Sequence, residues 1–129
     1  MGEELYESGE DYLETILTLT KQLGTVRSID VARSLDYSKP SVSRAMKILE
    51  EKGLIYMDDR KYIHMTDLGL ARAEGVARRH HIIKSALIEL FGISEKVAEE
   101  DACRIEHVVN DETIEKIKKK LDEHRASRA

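Results

Sequence analysis

YSKPSVSRAMKILEEKG, residues 37–53, decides how the first half of this chain folds. Ser38 can accept an orphan backbone N–H, and Pro40 sits where a first helical turn needs no donor, so the pair marks a helix start. Val42, Ala45, Met46 and Leu49 then recur at i, i+3, i+4 and i+7, which places one apolar stripe along a helix. Gly53 supplies the stop. The same stripe turns Ser41, Ser43, Arg44 and Lys47 to the opposite face, leaving small hydroxyls and long cations outward.

Upstream, GEDYLETILTLTKQLG predicts a helix over about 7–23, with Leu13, Ile16, Leu17 and Leu23 on its stripe and Gly24 after it. Ser28 is expected to cap a short helix, IDVARSL, that buries Ile29, Ala32 and Leu35. Downstream, LIYM and YIHMT read as two short strands around the charged turn DDRK. Helix, short helix, turn, helix and hairpin follow in the order of a winged helix-turn-helix. Ser38, Lys39, Pro40, Ser41, Ser43, Arg44 and Lys47 then crowd the start and outer face of the third helix, and Arg60 and Lys61 the hairpin tip. Arg matches guanine edges and Lys matches phosphates in a major groove, so double-stranded DNA is the expected partner. The plainer alternative is a solvated amphipathic helix beside an incidental hairpin.

Thr66 opens a long helical segment to about Phe91, followed by Gly92. Ser94 is expected to cap a helix to about Val109, and Asp111 the last one, with Ile114, Ile117 and Leu121 as its stripe. The tail HRASRA lacks a pattern, and residues 126–129 are expected to fray. The class is mainly α. The chain has 129 residues and a net charge of −4, but the charge is uneven. Glu3, Glu4, Glu7, Glu10, Asp11 and Glu14 precede any basic residue, whereas the segment 37–64 is mildly basic. A single cysteine excludes an intramolecular disulfide framework, and neither a signal peptide nor a membrane span is visible, so a cytoplasmic protein without membrane partners is expected.

That cysteine stands in DACRIEHVV, residues 101–109. Cys103, Glu106 and His107 fall at i, i+3 and i+4, which a helix would place on one face as a metal half-site. Asp11 and Glu14 share a face of the first helix, and His80 and His81 diverge by about a quarter-turn on the fourth, so one of them at most can join. Asp11, Glu14, His80, Cys103, Glu106 and His107 together suit one or two divalent ions, with His64, His81 and His124 as non-ligands. Carboxylate and imidazole favour Mn²⁺ or Fe²⁺, and the thiolate draws toward Fe²⁺, Zn²⁺ or Co²⁺. Each piece also has a structural reading: a packed cysteine, a surface Glu–His pair, an acidic first turn. Two other classes compete. One is an enzyme with Cys103 as nucleophile and His107 as base. The other is a winged-helix protein with a structural metal and a protein partner.

SGEDYLETI, KPSVSRAM, RRHHII and EDACRIEHVV, in this order, resemble the diphtheria-toxin-repressor family of iron- and manganese-dependent transcriptional repressors. The resemblance implies an N-terminal winged helix-turn-helix DNA-binding domain over 1–70. A helical dimerisation and metal-binding domain over 71–125 would follow, in the short form without an SH3-like domain. It implies a homodimer that binds a palindromic operator when Fe²⁺ or Mn²⁺ is present as corepressor, with Zn²⁺, Co²⁺ or Ni²⁺ as surrogates. Asp11 and Glu14 match the ligand positions of the manganese branch, Cys103 matches the iron branch, and His80, Glu106 and His107 match both. Lys84 stands where the iron branch's ancillary site draws on a carboxylate. By this resemblance the ion ties the first helix to the fifth and fixes the spacing of the two reading heads; the chain would not be an enzyme.

Overall fold

Ser38, as expected, ends its own extended backbone by accepting the Ser41 N–H at 3.3 Å, and α3 runs from it over Lys39–Glu51. The structure, a computed structural model, describes residues 7–128. Glu3 and Glu4 of the acidic cluster, and Ala129 of the tail, lie outside the described residues. The elements are α1 (Glu7–Leu23), α2 (Ser28–Leu35), α3, β1 (Ile55–Met57), β2 (Ile63–Met65), α4 (Asp67–Phe91), α5 (Glu95–Ile105) and α6 (Asp111–Arg128). The chain divides into two compact units between Glu74 and Gly75, within α4.

In the first unit, α3 stops on Gly53 at φ 74°, where the Leu54 N–H reaches back to the Leu49 carbonyl and the Gly53 N–H to that of Glu50, both at 3.0 Å. This closure satisfies carbonyls a helix end leaves unpaired, and Leu49 and Leu54 are both buried there. Val42, Met46 and Leu49 pack with Leu13 and Ile16 of α1, Val31 and Ala32 of α2, and Ile55 and Ile63 of the hairpin. Full burial of each large aliphatic side chain among them contributes about 1.5–3 kcal/mol. Two apolar expectations fail: Leu23 is 55% exposed, and Val31 takes the buried place on α2 while Ile29 and Leu35 stay half-buried. Leu23 is the last residue of α1, and Gly24 follows at φ 84°, so the stripe ends before that residue meets a neighbour.

β1 and β2 pair antiparallel, with Ile55 opposite Met65 and Tyr56 opposite His64. The Ile63 N–H donates to the Val26 carbonyl at 2.7 Å, which fastens the hairpin to the α1–α2 connection. Thr66 closes the unit: its hydroxyl donates to the Gly53 carbonyl at 2.6 Å and accepts the Gly69 N–H at 3.1 Å. Gly69 is required, because a Cβ there would stand 1.9 Å from the Leu54 carbonyl oxygen.

The second unit has a smaller apolar cluster of Ile82, Ile83, Ala102 and Ile114, with Ile105, Val109 and Ile117 against it. α5 ends at Ile105 rather than Val109. The N–H groups of Val108 and Val109 both turn to the Ile105 carbonyl, and Asn110 rather than Asp111 starts α6, its side chain accepting the Glu112 N–H at 2.9 Å. Residues 126–128, expected to fray, continue α6.

Candidate metal centre and nucleic-acid face

The residues expected to meet nucleic acid lie in the first unit. Ser38, Lys39, Pro40, Ser41, Ser43, Arg44 and Lys47 are all exposed, and the hydroxyls of Ser38 and Ser41 are joined at 2.8 Å. A cleft of about 170 Å³ lined by Ser28, Ile29, Lys39 and Ser43 lies between α2 and α3. At the hairpin tip, Asp58 accepts the N–H of Arg60 at 2.9 Å and of Tyr62 at 3.0 Å, which fixes the turn and leaves the Arg60 and Lys61 side chains outward. Lys61 holds a left-handed φ of 68° there. Asp58 also meets His64 at 2.8 Å, and this contact is the main cause that holds its carboxyl below the usual carboxylate range. Arg27, which sequence reasoning passed over, lies 4.6 Å from the Tyr62 ring, a cation–π contact at the turn end of the hairpin.

The candidate ligands of the second unit meet across α4 and α5. His80 Nδ1 lies 2.7 Å from Glu106 Oε2, and its Nε2 lies 3.1 Å from Glu99 Oε1. Cys103 Sγ lies 3.4 Å from Glu99 Oε2 and 4.0 Å from His80 Nδ1. His107 Nε2 approaches Glu106 Oε1 at 3.4 Å, and both of these side chains are only 1% exposed. His80, Glu99 and Cys103 each offer one ligand atom within 4.8 Å of the others, a spacing that can hold a metal ion.

The donor chemistry fits a cation. A neutral imidazole carries a single N–H, yet both nitrogens of His80 face carboxylates. A further positive charge between these groups satisfies both contacts, and a buried Glu106 needs a compensating charge as well. Part of that charge comes from Lys84, whose ammonium is 3.0 Å from Glu99 Oε1 and 3.8 Å from Glu95 Oε1. Lys84 is the main cause that holds the Glu99 carboxyl below the usual carboxylate range, with smaller help from His80 and Cys103. Glu99 in turn raises the Lys84 ammonium.

Cys103 also neighbours Glu99 one turn earlier on α5, and Glu106, the helix's C-cap with an α-helical backbone, neighbours His107. His80 joins both sets, and His81 is exposed, as the quarter-turn divergence predicts. The imidazole described against Cys103 is that of His80, flanked by two carboxylates. Asp11 and Glu14, on α1 in the first unit, are both half-buried. Glu99 was missed by the sequence reading; its spacing of four from Cys103 is the signal that could have found it.

Two family models together match nearly the whole chain. Residues 4–65 match the iron dependent repressor N-terminal DNA binding domain. Residues 66–127 match the iron dependent repressor metal binding and dimerisation domain. The transcriptional regulator MntR of Escherichia coli is 33% identical over 117 residues, covering 91% of this chain and 75% of its own length. The iron-dependent repressor IdeR of Mycobacterium tuberculosis is 30% identical over 119 residues, covering 92% of this chain and 52% of its own. The crystal structure of the metal-dependent transcriptional regulator MtsR superposes with a TM-score of 0.82 at 31% identity, over 88% of this chain and 53% of that one. The chain therefore spans about half the length of IdeR and MtsR.

Proposed function

The chain belongs to the iron-dependent repressor family, and from that premise we propose that it is a transcriptional repressor whose corepressor is Fe²⁺ or Mn²⁺. The observation that carries this reading is the imidazole of His80 held between Glu99 and Glu106, with the Cys103 thiol against Glu99. His80, Cys103, Glu106 and His107 are the donors of the second unit, and Asp11 and Glu14 of α1 add carboxylates. A divalent ion bound by them supplies the positive charge that cancels their mutual repulsion. Cys103 acts here as a ligand rather than as a nucleophile, and the protein works in the cytoplasm as a homodimer.

The chain's own residues divide the remaining work. Ser38, Lys39, Pro40, Ser41, Ser43 and Arg44 present the start of α3 to a major groove, where Arg44 suits a guanine edge. Lys47, Arg60 and Lys61 meet phosphates on either side. A two-fold dimer carries two such faces and matches a palindromic operator. Gathering Asp11 and Glu14 with the donors of α4 and α5 ties α1 to the dimerisation unit, so the operator-binding state is favoured when the carboxylates are neutralised. A ligand at ~100 times its dissociation constant that binds only one state favours it by roughly 2.7 kcal/mol.

The test is anaerobic binding to the DNA upstream of the protein's own gene, at one fixed salt concentration because phosphate contacts make affinity salt-dependent. Metal-free protein should bind weakly, and Fe²⁺ or Mn²⁺ should raise specific affinity by orders of magnitude. The double variant Glu106→Gln/His107→Ala should lose that response while retaining its helical content. An affinity indifferent to both metals would sink the reading.

A further inference from the structure

We propose that Lys84 sets the metal affinity of this centre: its ammonium competes for Glu99, a ligand that completes the His80–Glu99–Cys103 set only when Lys84 swings away. The inference rests on the metal-sensing reading above and adds to it a fourth-helix cation and a fifth-helix carboxylate that do not coordinate together. Glu99 Oε1 receives Lys84 at 3.0 Å and His80 at 3.1 Å, so the two acceptor sites of that oxygen are both engaged. Its other oxygen faces Cys103 Sγ at 3.4 Å. An ion that takes this oxygen must therefore displace one partner, and the partner that opposes it by charge is Lys84. The Lys84 side chain is 28% exposed, so water screens that opposition only in part. It is also tethered, which keeps its local concentration high whatever the ion concentration outside.

Glu95 makes the displacement reversible. It lies one helical turn before Glu99 on α5, 3.8 Å from the ammonium and 82% exposed on its side chain. When Glu99 turns to an ion, Lys84 can pass to Glu95 and remain paired. The centre thus contains a built-in competitor with two carboxylates to choose between, one inside the ligand set and one outside it.

The experiment is a Mn²⁺ titration of the full chain followed by the paramagnetic resonance signal of the free ion, which reads binding without DNA. Lys84→Leu should bind Mn²⁺ about tenfold or more tightly than the natural chain, since the cation that holds Glu99 away from the ion has gone. Lys84→Arg, which keeps the charge, should stay close to the natural affinity, and circular dichroism on each variant checks the fold. In a Glu99→Gln background the gain from Lys84→Leu should vanish, because the competed ligand is absent. Unchanged or weaker binding in Lys84→Leu, or a gain that survives Glu99→Gln, overturns the inference and leaves the repressor reading intact. Tight Mn²⁺ binding that responds to Lys84 without any change in DNA affinity does the reverse. No Mn²⁺ uptake by any variant overturns both.

Discussion

α1, α2 and α3 turn Leu13, Ile16, Val31, Val42, Met46 and Leu49 inward, whereas α4, α5 and α6 surround a shorter apolar list with Glu106, His107 and half-buried His80. Around that second list run ion pairs: Arg78 with Glu115 at 3.0 Å, Arg125 with Glu89 at 2.7 Å, Lys84 with Glu99 at 3.0 Å. Apolar packing is non-directional and indifferent to ions, so the first unit can hold the exposed cations of α3 in one place under all conditions. A buried carboxylate is conditional on its counter-charge. The contrast teaches that one unit is held by apolar packing, while the other buries a carboxylate that needs a counter-charge.

The largest expected effect breaks the first side of that contrast. Met46 is 1% exposed in the middle of the α3 stripe, and Met46→Ala should destabilise the protein by about 2–5 kcal/mol. Urea unfolding should show the same loss with and without Mn²⁺; a loss that Mn²⁺ repairs would mean the two regions are not separable in this way. The next effect belongs to the second side. Mn²⁺ at ~100 times its dissociation constant should raise stability by roughly 2.7 kcal/mol in the natural chain. In Glu106→Gln it should raise stability far less, and equal stabilisation of both proteins would remove Glu106 from the ligand set.

DNA binding sharpens the comparison further. Arg44→Ala should cost about 1–3 kcal/mol of discrimination at one base position, measured on a panel of operator variants. Lys47→Ala should instead weaken binding evenly across that panel and reduce the salt slope by about 1. The smallest effect lies in the hairpin. His64 holds the Asp58 carboxyl below its ordinary value, so this group contributes stability above the ordinary carboxylate pKa that is lost as pH falls through the lowered one. Asp58→Asn should flatten the acid side of the melting-temperature profile by a small amount. An unchanged profile would show that the turn is held by the backbone alone.

Much of the fold is legible residue by residue. Ser38, Ser94, Gly53 and Gly92 mark helix ends where they were read, because a side-chain oxygen at an N-terminus and a positive φ at a C-terminus are local requirements. The misplaced boundaries have local causes of a kind that spacing hides. Asn110 rather than Asp111 takes the cap of α6, and the turn it needs ends α5 four residues early. The candidate centre was legible in part: His80, Cys103, Glu106 and His107 were named from spacing and family likeness, while Glu99 and the role of Lys84 were not.

By itself the sequence determined which residues could cap, stripe or ligate, since those properties depend on neighbours within one or two turns of chain. It also carried the motifs that resemble the iron-dependent repressors. Tertiary structure alone decided that the Glu99–Cys103 face of α5 meets His80 and that Lys84 of α4 reaches Glu99 and Glu95. Those outcomes depend on how far α4 and α5 are rotated about their axes as their apolar faces pack. A rotation of that kind leaves every sequence spacing unchanged while it selects which side chains meet.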